Sequence, residues 1–141
     1  MTGPVLDMAL RVGVVGAVAV GVVAGRVGLA TWRDRRRRRA IAGAPLPGLA
    51  GGQTTVLLFT GSLCTDCARQ KEILQDVGRQ VGGWRVHEVQ AAREQPLAAR
   101  FGVESVPATV LLDREGHSVA VNYGLADAAV LIGQLRPVVA A

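Results

Sequence analysis

The chain has 141 residues, room for one domain and a modest appendage, with a net charge of +5 and two cysteines. The charge is concentrated: residues 33–39 hold six arginines and one aspartate, whereas residues 40–141 hold eight basic and nine acidic side chains. A nearly neutral remainder with 4% aromatic residues argues against a basic groove that stacks nucleic-acid bases.

Taken in order, the chain begins with an apolar segment. Val12 to Gly25 is an uncharged run of Val, Ala and Gly, and the span lengthens to Trp32 if Arg26 snorkels. Those 21 residues make roughly 31 Å of helix, enough to cross a bilayer, with Trp32 at interface depth. Residues 1–32 are therefore expected to form an N-terminal segment and single membrane anchor. The arginine block that follows places the remaining chain in the cytoplasm by the positive-inside rule. A cleaved signal peptide, with export of the domain, is the competing reading. Gly13, Ala17, Gly21 and Gly25 recur at every fourth position, a small-residue stripe that permits an anchor-helix homodimer.

Residues 33–52 are expected to be the arginine-rich block and a flexible linker, because Ala40 to Gly52 is small, uncharged and rich in Pro and Gly. Residues 53–141 then form the domain. Thr54 to Thr60 is β-branched and apolar between glycines, the pattern of a buried strand. Asp66 to Val81 carries Ile73, Leu74, Val77 and Val81 at helical spacing and ends at Gly82-Gly83. Trp84 to Val89 is a second strand, and Glu94 to Phe101 a short helix with Pro96 in its first turn. Thr109 to Leu112 and Ser118 to Asn122 flank a turn at Asp113–Gly116. Asp127 opens a last helix, Ala126 to Leu135, which Pro137 is expected to stop. The order β-α-β-α-β-β-α implies an α/β sheet with a parallel portion and a terminal hairpin.

Both cysteines lie where the first strand hands over to the first of these helices, in Thr60-Gly61-Ser62-Leu63-Cys64-Thr65-Asp66-Cys67. Thiols at i and i+3 on a first helical turn can reach each other to form a disulfide. The first also meets the unpaired N–H groups and positive dipole end that stabilise a thiolate. His87 and His117 lack the spacing of a zinc finger, so no metal is expected.

CxxC after a first strand, with Val106-Pro107-Ala108-Thr109 before a later one, resembles the thioredoxin superfamily over roughly Thr54 to Leu135. The fold expected is thus a minimal thioredoxin-like α/β fold preceded by a single transmembrane helix. The resemblance implies that Pro107 is a cis proline facing the disulfide and keeping metal off the thiols. It implies that the Val106 backbone pairs with an extended substrate. Leu63 stands where the family has an aromatic, and Thr65-Asp66 where it has Gly-Pro, so the substrate-docking surface around Leu63, Thr65 and Asp66 is altered. The acid that thioredoxins bury in the first strand falls on Leu58, and the lysine of the second falls on Glu88. Glu88 could replace that carboxylate, against the alternative of a strand-edge surface charge. The first β-α unit of full-length thioredoxins is missing.

The chemistry expected is thiol–disulfide exchange, with Cys64 attacking and Cys67 resolving, and no cofactor beyond that redox-active pair. Asp66 opposes a nearby thiolate and makes the couple more reducing. Disulfide-containing proteins are the expected substrates, with a separate reductant and no nucleic acid. Two alternatives stand beside a reductase: an exported thiol oxidoreductase of the cytochrome-maturation type, and a non-catalytic binding module of the same fold.

Overall fold

The computed structural model describes residues 3–141, which divide into two compact units on either side of the Arg35–Arg36 bond. The first unit is helical throughout its described length, as part of α1 (Gly3–Ile41). Its large apolar side chains, Val12, Val15, Val20 and Val23 among them, are exposed. The stretch Met8–Ile41 is long and apolar enough to cross a membrane.

The second unit carries α2 (Pro47–Ala50), β1 (Thr54–Thr60), α3 (Thr65–Gln80), β2 (Trp84–Gln90), α4 (Gln95–Arg100), β3 (Ala108–Leu112), β4 (Ser118–Tyr123) and α5 (Ala128–Ala140). The sheet order is β2-β1-β3-β4. β1 runs parallel to β2 and antiparallel to β3, and β3 and β4 form a hairpin. Every residue of β1 is buried because both of its faces are covered. Val56 and Leu58 point to a layer containing Leu74, Val77, Leu131 and Leu135, supplied by α3 and α5. Leu57 and Phe59 point the other way, toward Ala98, Phe101 and Ala40. The period-2 alternation of a strand thus assigns neighbouring leucines to separate cores.

Two expectations need correction. Ala40 to Gly52, expected to be a flexible linker, packs in part on the domain. Ala40 is 3% and Ala50 0% exposed, and Leu46 and Leu49 pack on the Phe59–Phe101 core. Ser118 Oγ donates to the Ala40 carbonyl at 2.9 Å, and Leu46 N–H donates to Gly116 O at 2.8 Å. The Arg85 guanidinium donates to the carbonyls of Leu49 and Ala50, at 2.8 and 3.2 Å. Arg36, near the end of α1, pairs with Glu104 at 3.1 Å and stacks over the Tyr123 ring. The physical reason is the six-residue length of α4, which cannot alone cover the Leu57–Phe59 side of the sheet. The small and apolar residues between 40 and 50 complete that cover.

The second correction concerns α5, which continues through Pro137 to Ala140. Proline has no N–H to give to the carbonyl of Gly133 four residues back. The loss is offset because Val138 and Val139, beyond the proline, pack against the Leu131–Leu135 core. Asp127 is the N-cap residue of this helix but makes no side-chain capping bond.

Candidate active site

β1 ends at Thr60 and α3 begins at Thr65, so the four-residue loop Gly61–Cys64 must turn the chain from strand to helix. Leu63 takes a left-handed backbone, φ 59°, the one non-glycine residue with positive φ among the described residues. A β-carbon is disfavoured there, so the conformation is held by its surroundings rather than by local preference. Its side chain is fully exposed beside the first cysteine.

Cys64 is the N-cap of α3, and its sulfur accepts the Cys67 N–H at 3.2 Å. A sulfur atom thus takes the place usually held by a serine or aspartate oxygen and satisfies one of the helix's unpaired donors. Cys64 and Cys67 are joined as a disulfide, with Cα atoms 5.3 Å apart. Cys64 is half-buried, whereas Cys67 is 4% exposed. Thr65 and Asp66, between them, are exposed, and Asp66 is the acidic residue of the first turn.

The Val106–Pro107 peptide bond is cis. Pro107 is buried, and its carbonyl accepts Gly124 N–H at 2.9 Å. Gly61 joins this segment to the cysteine loop: a β-carbon on Gly61 would stand 3.0 Å from Val106 Cγ2. Val106 lines a hollow on one side of Thr60 and Gly61, and Leu63, Cys64, Thr65 and Cys67 line a cleft on the other. Pro107 and Asp66 line neither of these.

Two charged residues share the cleft with the sulfurs, Lys71 and Glu88. Glu88 lies opposite Leu58 in the β1–β2 pairing. One of its oxygens accepts from Thr60 Oγ1 at 3.0 Å, and the other meets Lys71 Nζ at 2.9 Å. The lysine bond, outweighing a burial penalty and helped by the threonine bond, holds the Glu88 carboxyl below its ordinary value. Lys71 lies four residues after Cys67, a spacing that puts both on one helix face. Thr60 both ends β1 and heads the cysteine-bearing stretch. His87 and His117 lie outside the cleft, and among the described residues no cluster could hold a metal ion.

Residues 45–135 match the profile of the family described as TraF, F plasmid transfer operon protein, which is more than half of the chain. The chain belongs to the TraF family. The TraF family is thioredoxin-like, and solved structures agree with the fold. A thioredoxin variant from Halobacterium salinarum is 22% identical with a TM-score of 0.56, covering 64% of this chain and 78% of that one. A thioredoxin-like protein from Clostridium perfringens is 23% identical with a TM-score of 0.54, covering 62% and 71%. Thioredoxin-2 of the malaria parasite, a component of its protein secretion machinery, is 22% identical with a TM-score of 0.53, covering 60% and 82%. No curated protein sequence matches the chain. TraF membership together with the disulfide-bonded CxxC pair supports a thiol–disulfide oxidoreductase in general terms.

Proposed function

We propose that this TraF-family chain is a membrane-tethered thiol–disulfide oxidoreductase that reduces protein disulfides through Cys64 and Cys67. The observation that carries the reading is the asymmetry of the pair. Cys64 is the more accessible sulfur and caps α3, where the helix dipole and the Cys67 N–H favour a thiolate. Cys67 is withdrawn from solvent and suited to the second step.

In the reduced protein, the Cys64 thiolate attacks one sulfur of a substrate disulfide. A mixed disulfide forms and the other substrate sulfur leaves as a thiolate, which takes a proton from water. Cys67 then loses its proton and attacks Cys64 Sγ. The mixed disulfide breaks, the second substrate thiolate leaves and is protonated, and the Cys64–Cys67 bond closes. Two electrons have passed to the substrate, and a dithiol reductant returns them. Val106, across Gly61 from the cysteine loop, offers its backbone to an extended substrate, and the exposed Leu63 supplies an apolar contact. Pro107 holds the Val106 segment beside the loop. Asp66 opposes the thiolate and favours the reducing direction.

The apolar stretch of α1 supports a tether, and the arginines after it support a cytoplasmic domain. A second reading, export of the domain, draws on the position of the apolar stretch near the N-terminus, where export signals lie. Purified full-length chain in detergent, supplied with a dithiol donor, is expected to reduce a model protein disulfide, and Cys64→Ser to lose that turnover. Equal activity in the serine variant would end the proposal. Labelling of Cys64 in intact cells by a membrane-impermeant thiol reagent would replace the cytoplasmic reading with the exported one.

A further inference from the structure

The cleft beside the disulfide contains an ion pair whose role thiol chemistry alone leaves unassigned. Lys71 stands one turn after Cys67 on the same face of α3, and Glu88 reaches the same cleft from β2. Their contact at 2.9 Å is direct, and Thr60, at 4% exposure, fixes the other carboxylate oxygen at 3.0 Å. The carboxylate is therefore held in place from two sides, and the ammonium is held by the carboxylate. β1 and the loop after it contribute Thr60, Gly61, Ser62 and Leu63 to this cleft, none of them charged, and β2 adds the neutral Gln90. Asp66 in the first turn of α3 is exposed and lies outside the cleft lining.

An ammonium near a thiol favours the thiolate, and a carboxylate disfavours it. A couple whose reduced form is stabilised as thiolate is more oxidising. Placed together, the two charges work against each other. We propose that Lys71 and Glu88 are paired positioning residues that set the ionisation of the reduced dithiol, chiefly Cys67, by opposing effects that nearly cancel. Lys71 prevents Glu88 from suppressing the thiolate, and Glu88 prevents Lys71 from turning the site into an oxidant. Neither residue needs to touch a reacting sulfur. The pair deepens the proposed reductase function and rests on it, because a strongly stabilised thiolate would retain electrons that a reductase must pass on. The lowered carboxyl of Glu88 agrees, since it keeps the pair charged on both sides at neutral pH.

The test uses the full-length chain in detergent micelles with four variants: Glu88→Gln, Lys71→Met, the double variant, and Lys71→Arg. Thiolate ultraviolet absorbance against pH gives the thiol ionisation. The oxidised fraction in a glutathione redox buffer gives the equilibrium. Glu88→Gln is expected to lower the thiol pKa by about half a unit and, in redox buffer held above the thiol pKa so that the dithiol is ionised, to make oxidation by glutathione about threefold less favourable. That equals a rise of ~14 mV, at about 29.6 mV per tenfold for a two-electron couple. Lys71→Met is expected to move both readouts by similar amounts in the opposite direction. The double variant is expected to return near the wild type, and Lys71→Arg to stay there because it keeps the charge. Shifts of the same sign in the two single variants, or no shift in either, would overturn the proposal. So would a double variant displaced as far as one single, or Lys71→Arg behaving like Lys71→Met, which would mark a packing role. Neither readout needs turnover. A wild-type chain inactive toward disulfides would therefore sink the reductase reading while these shifts still decide the present one.

Discussion

The two faces of the sheet are covered by different means. On one side α3 and α5 lay two continuous helices over Val56, Leu58 and Leu111. On the other, six residues of α4 and the chain between Ala40 and Ala50 cover Leu57, Phe59, Val110 and Leu112. The first cover is periodic and rigid, and it carries the cysteine pair at the start of α3. The second is assembled from pieces that touch the sheet through a few apolar side chains and carbonyl hydrogen bonds. The difference teaches that a short thioredoxin-like domain can close its sheet with residues that look like a tether.

That contrast can be broken at its widest point by truncation. A chain beginning at Gln53 would lose Ala40, Leu46, Leu49 and Ala50 from the second cover. Compared with a chain beginning at Arg36, it is expected to lose on the order of 5 kcal/mol of stability in denaturant unfolding. Equal stability would mean that residues 36–52 merely rest on the domain. A sharper probe uses adjacent leucines of one strand, both fully buried but facing opposite covers. Leu58→Ala is expected to cost ~4 kcal/mol, because the packed helices cannot follow the cavity, and Leu57→Ala ~2–3 kcal/mol, because the pieced cover can settle into it. The reverse order in urea melts would show that the second cover is the stiffer one.

Gly116 tests one seam of the pieced face. It has φ +89°, and a β-carbon would meet Leu46 C at 2.4 Å. Gly116→Ala should cost ~2 kcal/mol and separate Leu46 from the β3–β4 turn. A cost below ~0.5 kcal/mol would show that the contact is dispensable. The smallest effect belongs to the helical side. The Glu88 pKa is lowered, so the stability it adds is fully present above the ordinary glutamate pKa, about 4.3. It is lost as pH falls through the lowered value. With both side chains nearly half exposed, the amount is a few tenths of a kcal/mol. Subtracting the Glu88→Gln stability profile from the wild-type profile across acid pH should show a difference that shrinks toward low pH. A growing difference would contradict the pairing.

The same contrast explains what could be read in the chain itself. β1 and α3 were legible because seven consecutive strand-forming residues and the Ile73, Leu74, Val77 spacing carry their periods locally. The cysteines were legible by spacing. Ala40, Leu46 and Leu49 have no period, and their burial depends on a sheet face formed from residues far along the chain. Pro137 is a helix breaker by local chemistry, overruled by the packing of Val138 and Val139. The left-handed turn at Leu63 has no local cue, since leucine does not favour it. The meeting of Lys71 with Glu88 was half legible. The i+4 step from Cys67 is written in the sequence, but the β2 register is not, and a slip of one residue would turn Glu88 to the other face.

The sulfur cap of α3 has a consequence for observation. The Cys67 amide is bound to an atom that gains charge when the disulfide is reduced and Cys64 ionises. A thiolate accepts more strongly than a disulfide sulfur, so that amide proton should exchange with solvent more slowly in the reduced protein and shift its resonance with it. One backbone signal then reports the redox state of the pair in solution, without a chemical label.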